Sequence, residues 1–201
     1  MANKLNSADL QNAGVGAFFR PRDVSPLGVT YYRLQQMAAA GRVEKVGPGL
    51  YRLTEVEATE METIAMVASA VPHAVVCLLS ALSIHEIGTQ LPHRVWLAID
   101  RKARKPKQLP AKVNIVRFSA QMLTYGVVTQ PMQGVPVRIT NPARTVVDCF
   151  RYRNKVGIDV AMEALRDAVR SRKAMVSDID RVAEVCRIRT VIGPYLEALS
   201  A

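Results

Sequence analysis

Asp100 and Lys102 are the residues whose types and spacing come nearest to a catalytic site. Asp100 ends the apolar run "VWLAID", and Lys102 follows two residues later. An acid at a strand end followed by lysine is part of the metal-dependent nuclease constellation, which needs a second carboxylate to hold the metal. Glu86 is the nearby candidate in sequence. A nuclease that uses Asp100 and Lys102 therefore stays an alternative, although Lys102 also opens a basic run.

Four other residues, His73, Cys77, His85 and His93, are of metal-binding type. Their gaps do not match the close pairs of a zinc site, and Cys77 lies in an apolar run. His85, on a mostly apolar helix, is expected to be a core histidine. No local motif indicates a serine or cysteine nucleophile. We therefore expect no metal site and no enzyme.

A helix that could read DNA bases is predicted in "SPLGVTYYRLQQMAAAGR". Thr30 is the expected N-cap, and Gly41 is expected to end the helix. Leu34, Met37 and Ala38 form an apolar face, with Tyr31 at its edge and expected in the core. The opposite face lacks acids and presents Thr30, Tyr32, Arg33 and Gln36. Arg33 and Gln36 are residue types that make bidentate contacts to guanine and adenine edges.

The stretch "GRVEKVGPGLYRL" predicts a β-hairpin, because Gly-Pro-Gly breaks both helix and strand. An isolated hairpin is marginal in water, so it must pack on other elements. Arg42, Lys45 and Pro48 lie on it or at its tip, where the glycines allow close approach to phosphates. Arg52 follows the turn and is expected to be exposed.

Two further short helices are predicted upstream, one in "LNSADLQNAG" that ends at Gly14 and one around Arg20–Val24. Arg22 in the second is a further candidate DNA contact. Helix, helix, turn, helix and hairpin is the order of a winged helix-turn-helix, whose third helix enters the major groove. We expect this domain at residues 1–53. Winged helices also serve as protein-interaction modules, so an adaptor that binds no DNA is an alternative.

The net charge of +10 favours a polyanionic partner without naming it. Residues 54–92 contain five Glu and no Lys or Arg, and basic regions flank them. The run "RKARKPKQLPAK" follows a predicted strand and is expected to be an exposed loop. We favour it as a second phosphate contact, with a seat for an acidic partner surface as the alternative. Its candidate contacts are Arg101, Lys102, Arg104, Lys105 and Lys107.

The rest of the chain predicts an α+β domain. A helix over residues 54–72, capped by Thr54, is expected to connect the winged helix to a domain at residues 73–201. That domain is predicted to hold a small mixed or antiparallel sheet and several helices, with Ser80 and Ser177 as helix caps. The three cysteines, the absence of an N-terminal signal and the absence of a long apolar run together favour a reduced protein in the cytoplasm, away from membranes.

The order of motifs along the chain resembles the AbiEi-like antitoxin family, the antitoxin and regulator half of type IV abortive-infection toxin–antitoxin modules. The resemblance rests on "GPGLYRL", "LLSALSIHEIG", "LPHRVWLAI" and "GVPVRITNPARTVVD". It implies an autorepressor that binds inverted repeats in the double-stranded DNA upstream of its own operon. It also implies a partner toxin of the nucleotidyltransferase type, and neither a cofactor nor a small-molecule substrate. A DNA-binding regulator without an antitoxin role is the alternative.

Within the last motif, Arg144 and Asp148 have helical i, i+4 spacing and are expected to pair, and Thr145 is expected to bond locally. A role in partner binding is the alternative for these three residues.

Overall fold

The N-terminal part of the chain folds as short helices around an antiparallel sheet in the computed structural model, which describes residues 7–57, 59 and 61–200. Its elements are α1 Ser7–Asn12, β1 Phe18–Phe19, α2 Pro21–Val24, α3 Tyr31–Ala39, β2 Val43–Gly47, β3 Leu50–Leu53 and α4 Glu62–Ala70. A short 3-10 helix, Ser25–Leu27, follows α2. The predicted winged-helix order is present, and residues 5 and 6 of the first predicted helix lie outside the described residues.

The strand β1 is a feature that sequence patterns did not indicate. It pairs antiparallel with β3, which also pairs with β2, so the wing sheet has the order β1-β3-β2. Two phenylalanines are too short a run to show the alternation of a strand. Phe19 is buried and its ring stacks with that of Tyr51 at 6.1 Å, which joins β1 to the core of this region.

The helix predicted over residues 54–72 begins later than expected. In the described residues it spans Glu62–Ala70, after a turn that follows β3, while residues 58 and 60 lie outside the described part. Thr54 is not its cap: the Thr54 hydroxyl donates to the carbonyls of Gly41 and Arg42, at 2.8 and 2.9 Å. Arg52, expected to be exposed, is instead largely buried and forms a 2.8 Å ion pair with Glu62.

A mixed five-stranded sheet forms the framework of the rest of the chain. Its strands are β4 Val75–Val76, β5 Val95–Asp100, β6 Val113–Phe118, β7 Val127–Met132 and β8 Val135–Thr140. They follow the order β6-β5-β4-β8-β7, with β4 antiparallel to β5 but β5/β6 and β4/β8 parallel. The α+β class and the mixed sheet are therefore confirmed. The basic run connects the parallel strands β5 and β6.

Six helices accompany this sheet among the described residues. They are α5 Leu78–Ile84, α6 Pro142–Arg151, α7 Arg153–Val156, α8 Ile158–Arg170, α9 Val176–Val185 and α10 Arg189–Ser200, and a 3-10 helix spans Gln121–Leu123. Two expected caps are wrong. The Ser80 hydroxyl lies inside α5 and accepts from the backbone N–H of Trp96 at 2.9 Å, and Ser177 lies inside α9.

Helix α6 is the central element of this core, since its residues Ala143–Phe150 are all buried. Asn141 caps it by accepting from the backbone N–H of Arg144 at 2.9 Å. The predicted Arg144–Asp148 pair is confirmed, with Nε 3.0 Å from both carboxylate oxygens. Thr145 also bonds locally as predicted, to the carbonyls of Asn141 and Thr140.

The chain divides into two compact units. The first comprises the described residues of Met1–Pro72 together with Lys105–Ala111 and Thr129–Val137, and the second comprises His73–Arg104, Lys112–Val128 and the described residues of Arg138–Ala201. All three cysteines are free and buried, in agreement with the absence of a predicted disulfide framework. Within the described part of the chain, no helix has both the length and the apolar character needed to span a membrane.

Candidate nucleic-acid interface

Helix α3 is bounded as its sequence predicted. The Thr30 hydroxyl accepts from the backbone N–H of Arg33 at 3.3 Å, so Thr30 is the N-cap. At the other end, the N–H groups of Gly41 and Arg42 donate to the carbonyls of Ala38 and Met37, both at 3.0 Å. This pair of bonds is the Schellman arrangement that ends a helix at glycine. The two ends fix which side chains the helix exposes.

The exposed face of α3 is polar and without acids. Thr30, Tyr32 and Gln36 are exposed and Arg33 is half-buried, whereas Leu34 and Met37 pack into the core. The structure corrects the expectation for Tyr31, because 66% of this residue is exposed rather than in the core. Tyr31 is the first residue of the helix, where the apolar face has not yet reached the neighbouring elements. Thr30, Tyr32, Arg33 and Gln36 thus lie along one short helix.

A side-chain hydrogen bond joins this helix to the wing. The Gln35 amide donates to the hydroxyl of Tyr51 at 3.2 Å. Tyr51 belongs to β3 and is 2% exposed, so its hydroxyl reaches out of the core to the helix. This role of Gln35 was not among the sequence predictions. The available signal was its position, one residue before Gln36 on the flank of the polar face.

The wing presents Arg42, Lys45 and Pro48, all exposed. Strands β2 and β3 pair from Val43↔Leu53 to Gly47↔Leu50, with an irregularity in register between Lys45 and Gly47. At the turn Gly49 has a φ of +62°, and a Cβ placed there would meet nothing within 4 Å. The turn is therefore uncrowded at Gly49. Glu44 is also exposed between the two basic residues and lowers the positive charge of the wing.

The two arginines around α2 have different roles. Arg20 is half-buried, and its guanidinium donates to the carbonyls of Ser69 and Ala70 at the end of α4. Arg22 is exposed, with its Nε 3.6 Å from a carboxylate oxygen of Asp23. A pair this exposed contributes little to stability and leaves the cation accessible to solvent. Arg22 thus remains a candidate for phosphate contact, whereas Arg20 is structural.

The basic loop is divided between the two units. Arg101, Lys102 and Arg104 belong to the second unit, and Lys105 and Lys107 to the first. All five are exposed. In the second unit, Arg117 anchors the start of the loop by donating to the carbonyls of Asp100 and Ala103.

The part of the loop that belongs to the first unit lies beside the wing. A Cβ placed on Gly47 would be 3.8 Å from the Cβ of Pro110. Lys105 and Lys107 are in the same segment as Pro110, Lys105–Ala111, which clusters with the winged-helix region. Two exposed lysines thus belong to the same unit as the wing and α3. This neighbourhood could not be foreseen, because Gly47 and Pro110 are far apart in sequence.

Asp100 does not lie in a metal-ligating cluster of the described residues. Its Oδ1 accepts from the backbone N–H of Lys102 at 2.7 Å, which forms the turn that begins the loop. Glu86, the second carboxylate considered, lies 3.4 Å from the ammonium of Lys173. Among the described residues, no three His, Cys, Asp or Glu side chains are grouped so as to hold a metal ion. The constellation required by the nuclease alternative is therefore not assembled in this part of the chain.

His85 is a partly buried histidine that forms a hydrogen bond through Nε2. Its Nε2 lies 2.7 Å from the carbonyl oxygen of Thr140. Burial lowers the pKa of His85, an effect that the Thr140 carbonyl opposes. The expectation of a core histidine is thus met only in part, because His85 is hydrogen-bonded but half-buried, at the C-cap of α5.

Comparison with known proteins finds a family model that matches the winged-helix region. Residues 11–54 match the sequence model described as "Transcriptional regulator, AbiEi antitoxin". We call this matching stretch, which is less than half of the chain, the AbiEi-type segment. It covers the chain from the end of α1 to the end of the wing, and it contains Arg22, the polar face of α3, Arg42 and Lys45. No curated protein sequence matches the chain.

Most of the fold has a counterpart among solved structures. The crystal structure of the RV2827C protein from Mycobacterium tuberculosis superposes with a TM-score of 0.57 at 12% identity. The match covers 89% of this chain and 69% of that one. At this identity the likeness shows a shared fold alone. The loop residues 101–112 lie outside the AbiEi-type segment.

Proposed function

We propose that this protein is a sequence-specific double-stranded DNA-binding repressor of its own operon and an antitoxin. The observation that supports DNA binding best is the acid-free face of α3, held beside a wing with Arg42 and Lys45 exposed. The AbiEi match over residues 11–54 supports a DNA-binding antitoxin regulator. The proposal adds that the target is an inverted repeat upstream of the protein's own gene.

In the proposed complex, α3 lies in the major groove and Arg33 and Gln36 contact base edges. Thr30 and Tyr32 contact bases or phosphates near the start of the helix. The wing follows the backbone or the minor groove, with Arg42, Lys45 and the Pro48 turn against it. Contacts to the DNA backbone set the affinity and its salt dependence, whereas contacts to the bases set the sequence preference.

The basic loop is proposed to extend the phosphate-contacting surface. Lys105 and Lys107 belong to the unit that contains the wing, and all five loop cations are exposed. Arg101, Lys102 and Arg104 are proposed as further phosphate contacts from the second unit. Each phosphate neutralised by a cation releases counterions, so the loop is expected to add affinity that falls with salt.

The deciding experiment is a titration of the full chain against DNA from upstream of its own gene, beside the same DNA shuffled, at two salt concentrations. The variant Arg33→Ala/Gln36→Ala is expected to lose the preference for native DNA, at about 1–3 kcal/mol per base contact. Its matched control is Arg181→Ala/Gln121→Ala, which removes an exposed arginine and an exposed glutamine outside the candidate interface. The control is expected to bind as the native protein does.

Other outcomes of this titration would overturn the proposed repressor function. Equal binding to native and shuffled DNA would mean that charge alone drives association. Absence of binding at both salt concentrations would favour the adaptor that binds only a protein. Metal-dependent cleavage of the DNA that is abolished in Asp100→Asn would revive the nuclease.

The antitoxin role is proposed to act against a toxin of the nucleotidyltransferase type. The support is the antitoxin description of the family whose model matches residues 11–54. The proposed place of action is the cytoplasm, and the three free, buried cysteines agree with a reducing compartment. Co-expression with a nucleotidyltransferase-like neighbour gene tests it: restored growth supports the role, and undiminished toxicity with a well-expressed chain contradicts it.

A further inference from the structure

Tyr31 and Tyr32 are the two exposed aromatic side chains among the described residues of this protein. They are 66% and 73% exposed, whereas the other aromatic residues are buried or half-buried. Neither belongs to the core cluster that includes Leu34 and Met37. In the same part of the chain, neither ring contacts another aromatic ring. Packing of the fold therefore does not account for two adjacent large rings here.

Their place in the helix is the one that approaches bases most closely. They are the first two residues of α3, directly after the N-cap Thr30. In helix-turn-helix proteins, residues near the N-terminus of the recognition helix contact base edges. The Thr30 hydroxyl already accepts from the backbone of Arg33, so the large groups at this end are the two rings and the Arg33 side chain.

The chemistry of a phenol ring restricts what it can recognise in the major groove. Most groups that base pairs present there are hydrogen-bond donors or acceptors, and the apolar exception is the C5-methyl group of thymine. Phosphates offer a ring no apolar surface. Two exposed rings on a helix without acids therefore match thymine methyls better than they match a hydrogen-bonding pattern.

We propose that Tyr31 and Tyr32 determine sequence preference by packing their rings against thymine methyl groups in the major groove. This inference rests on the proposed DNA-binding function. It gives Tyr31 a role in DNA binding. For Tyr32, it proposes that the ring, rather than the hydroxyl, contacts the bases. Arg33 and Gln36 read hydrogen-bonding edges, while the tyrosines read A·T pairs by their methyl groups.

The test uses the DNA upstream of the protein's own gene in three forms, with thymine, with uracil, and with 5-bromouracil. Uracil lacks only the methyl group, and bromine restores its volume. The native protein is expected to bind the uracil form more weakly, by about fourfold per contacted methyl, from the burial of one methyl-sized group. The bromouracil form is expected to recover most of that affinity.

Two variants separate the ring from the hydroxyl. Tyr31→Phe/Tyr32→Phe keeps both rings and is expected to discriminate thymine from uracil as the native protein does. Tyr31→Ala/Tyr32→Ala is expected to bind the thymine and uracil forms equally. Because both side chains are exposed, both variants are expected to keep the thermal unfolding midpoint of the native protein, which is measured alongside.

The outcomes distinguish this inference from the proposed function. Preference for native over shuffled DNA, with equal binding of the thymine and uracil forms, would overturn the inference and leave the repressor intact. Weaker binding by the phenylalanine variant would assign the tyrosines to hydroxyl contacts and would also overturn it. If the native protein shows no preference for its own upstream DNA, both the inference and the proposed function are overturned.

Discussion

Gln35 on the recognition helix donates a hydrogen bond of 3.2 Å to the hydroxyl of Tyr51 in the wing. The Tyr51 ring is buried and stacks with Phe19, so the hydroxyl is a fixed point of the core. Gln35 is itself exposed and would otherwise sample several rotamers. The bond therefore couples the position of α3 to that of the wing. Both elements are proposed to contact the DNA.

Removing the hydroxyl tests this coupling with little disturbance of the core. Tyr51→Phe is expected to lower the free energy of unfolding by about 0.5–1.5 kcal/mol, the usual net value of one such bond. We also expect weaker binding to the upstream DNA, because a constraint shared by helix and wing is removed. Urea unfolding and the DNA titration measure the two effects. The variant Gln35→Ala removes the other partner of the bond and should match Tyr51→Phe in stability and in DNA affinity. Lower stability with unchanged DNA affinity would show that α3 is positioned without this bond.

The loop lysines are expected to act on salt dependence rather than on sequence choice. Lys105→Ala/Lys107→Ala should weaken binding to native and shuffled DNA alike, and should reduce the slope of log affinity against log salt by about 1 for each phosphate that is no longer neutralised. Affinities over a series of salt concentrations give the slope. Arg170→Ala/Arg181→Ala, which removes two exposed cations of the second unit, is the matched control. A slope that changes as much in the control would place the loop away from the DNA.

The elements of the winged helix were predictable because their signals are local. The bonds by which Thr30 caps α3 and Gly41 ends it join residues at most five apart in sequence. The Pro48-Gly49 turn joins two strands that are equally close in sequence. Such bonds depend on residues next to each other in sequence, so residue type and spacing identify them. The Arg144–Asp148 pair was predictable for the same reason.

The wrong predictions involve side chains whose partners are distant in sequence. The hydroxyls of Thr54 and Ser80 fit the pattern of a helix cap, yet they bond to the backbone of Arg42 and Trp96. Tyr31 has the spacing of a core residue, but it precedes the point at which α3 packs. No local pattern could have grouped residues 105–111 and 129–137 with the first unit, because that grouping depends on contacts across tens of residues.

Within the first unit, the backbones of Gly16 and Gly134 are in contact, and neither position has room for a side chain. A Cβ on Gly16 would lie 2.7 Å from the carbonyl carbon of Gly134, and a Cβ on Gly134 would lie 2.9 Å from the Cα of Gly16. The adjacent backbone bond, from the N–H of Ala17 to the carbonyl of Gln133, measures 2.8 Å. Gly16→Ala is expected to lower the free energy of unfolding by roughly 1–3 kcal/mol, because the two segments must separate.

Glycine substitutions elsewhere separate this steric cost from backbone strain. Gly134 has a φ of +73°, so Gly134→Ala should incur both costs and be the most destabilising of the series. Gly28→Ala is the control, since its φ of +78° resembles that of Gly134 but its Cβ would meet nothing within 4 Å. Urea unfolding of the three variants should show a smaller destabilisation for Gly28→Ala than for Gly134→Ala. Equal destabilisation at these two positions would mean that the close contact adds nothing.

The buried pair in α6 predicts an unusual dependence of stability on pH. Burial raises the pKa of Asp148 to about 6, against the lowering effect of the Arg144 guanidinium. A carboxyl group whose pKa is higher in the folded than in the unfolded chain binds its proton more tightly when folded. Its contribution to stability is therefore fully present below the ordinary carboxyl pKa and is lost as pH rises through about 6.

Comparison with Asp148→Asn isolates this group, because the variant keeps the shape of the side chain and does not titrate. The free energy of unfolding of the native protein, relative to the variant, is expected to fall by roughly 1–3 kcal/mol between about pH 4 and about pH 7. Other titrating groups, His85 among them, contribute to both proteins and cancel. Urea unfolding of both proteins across this range measures the difference. A difference that grows with pH would mean that the two 3.0 Å contacts from Arg144 outweigh burial and hold the carboxyl ionised at low pH.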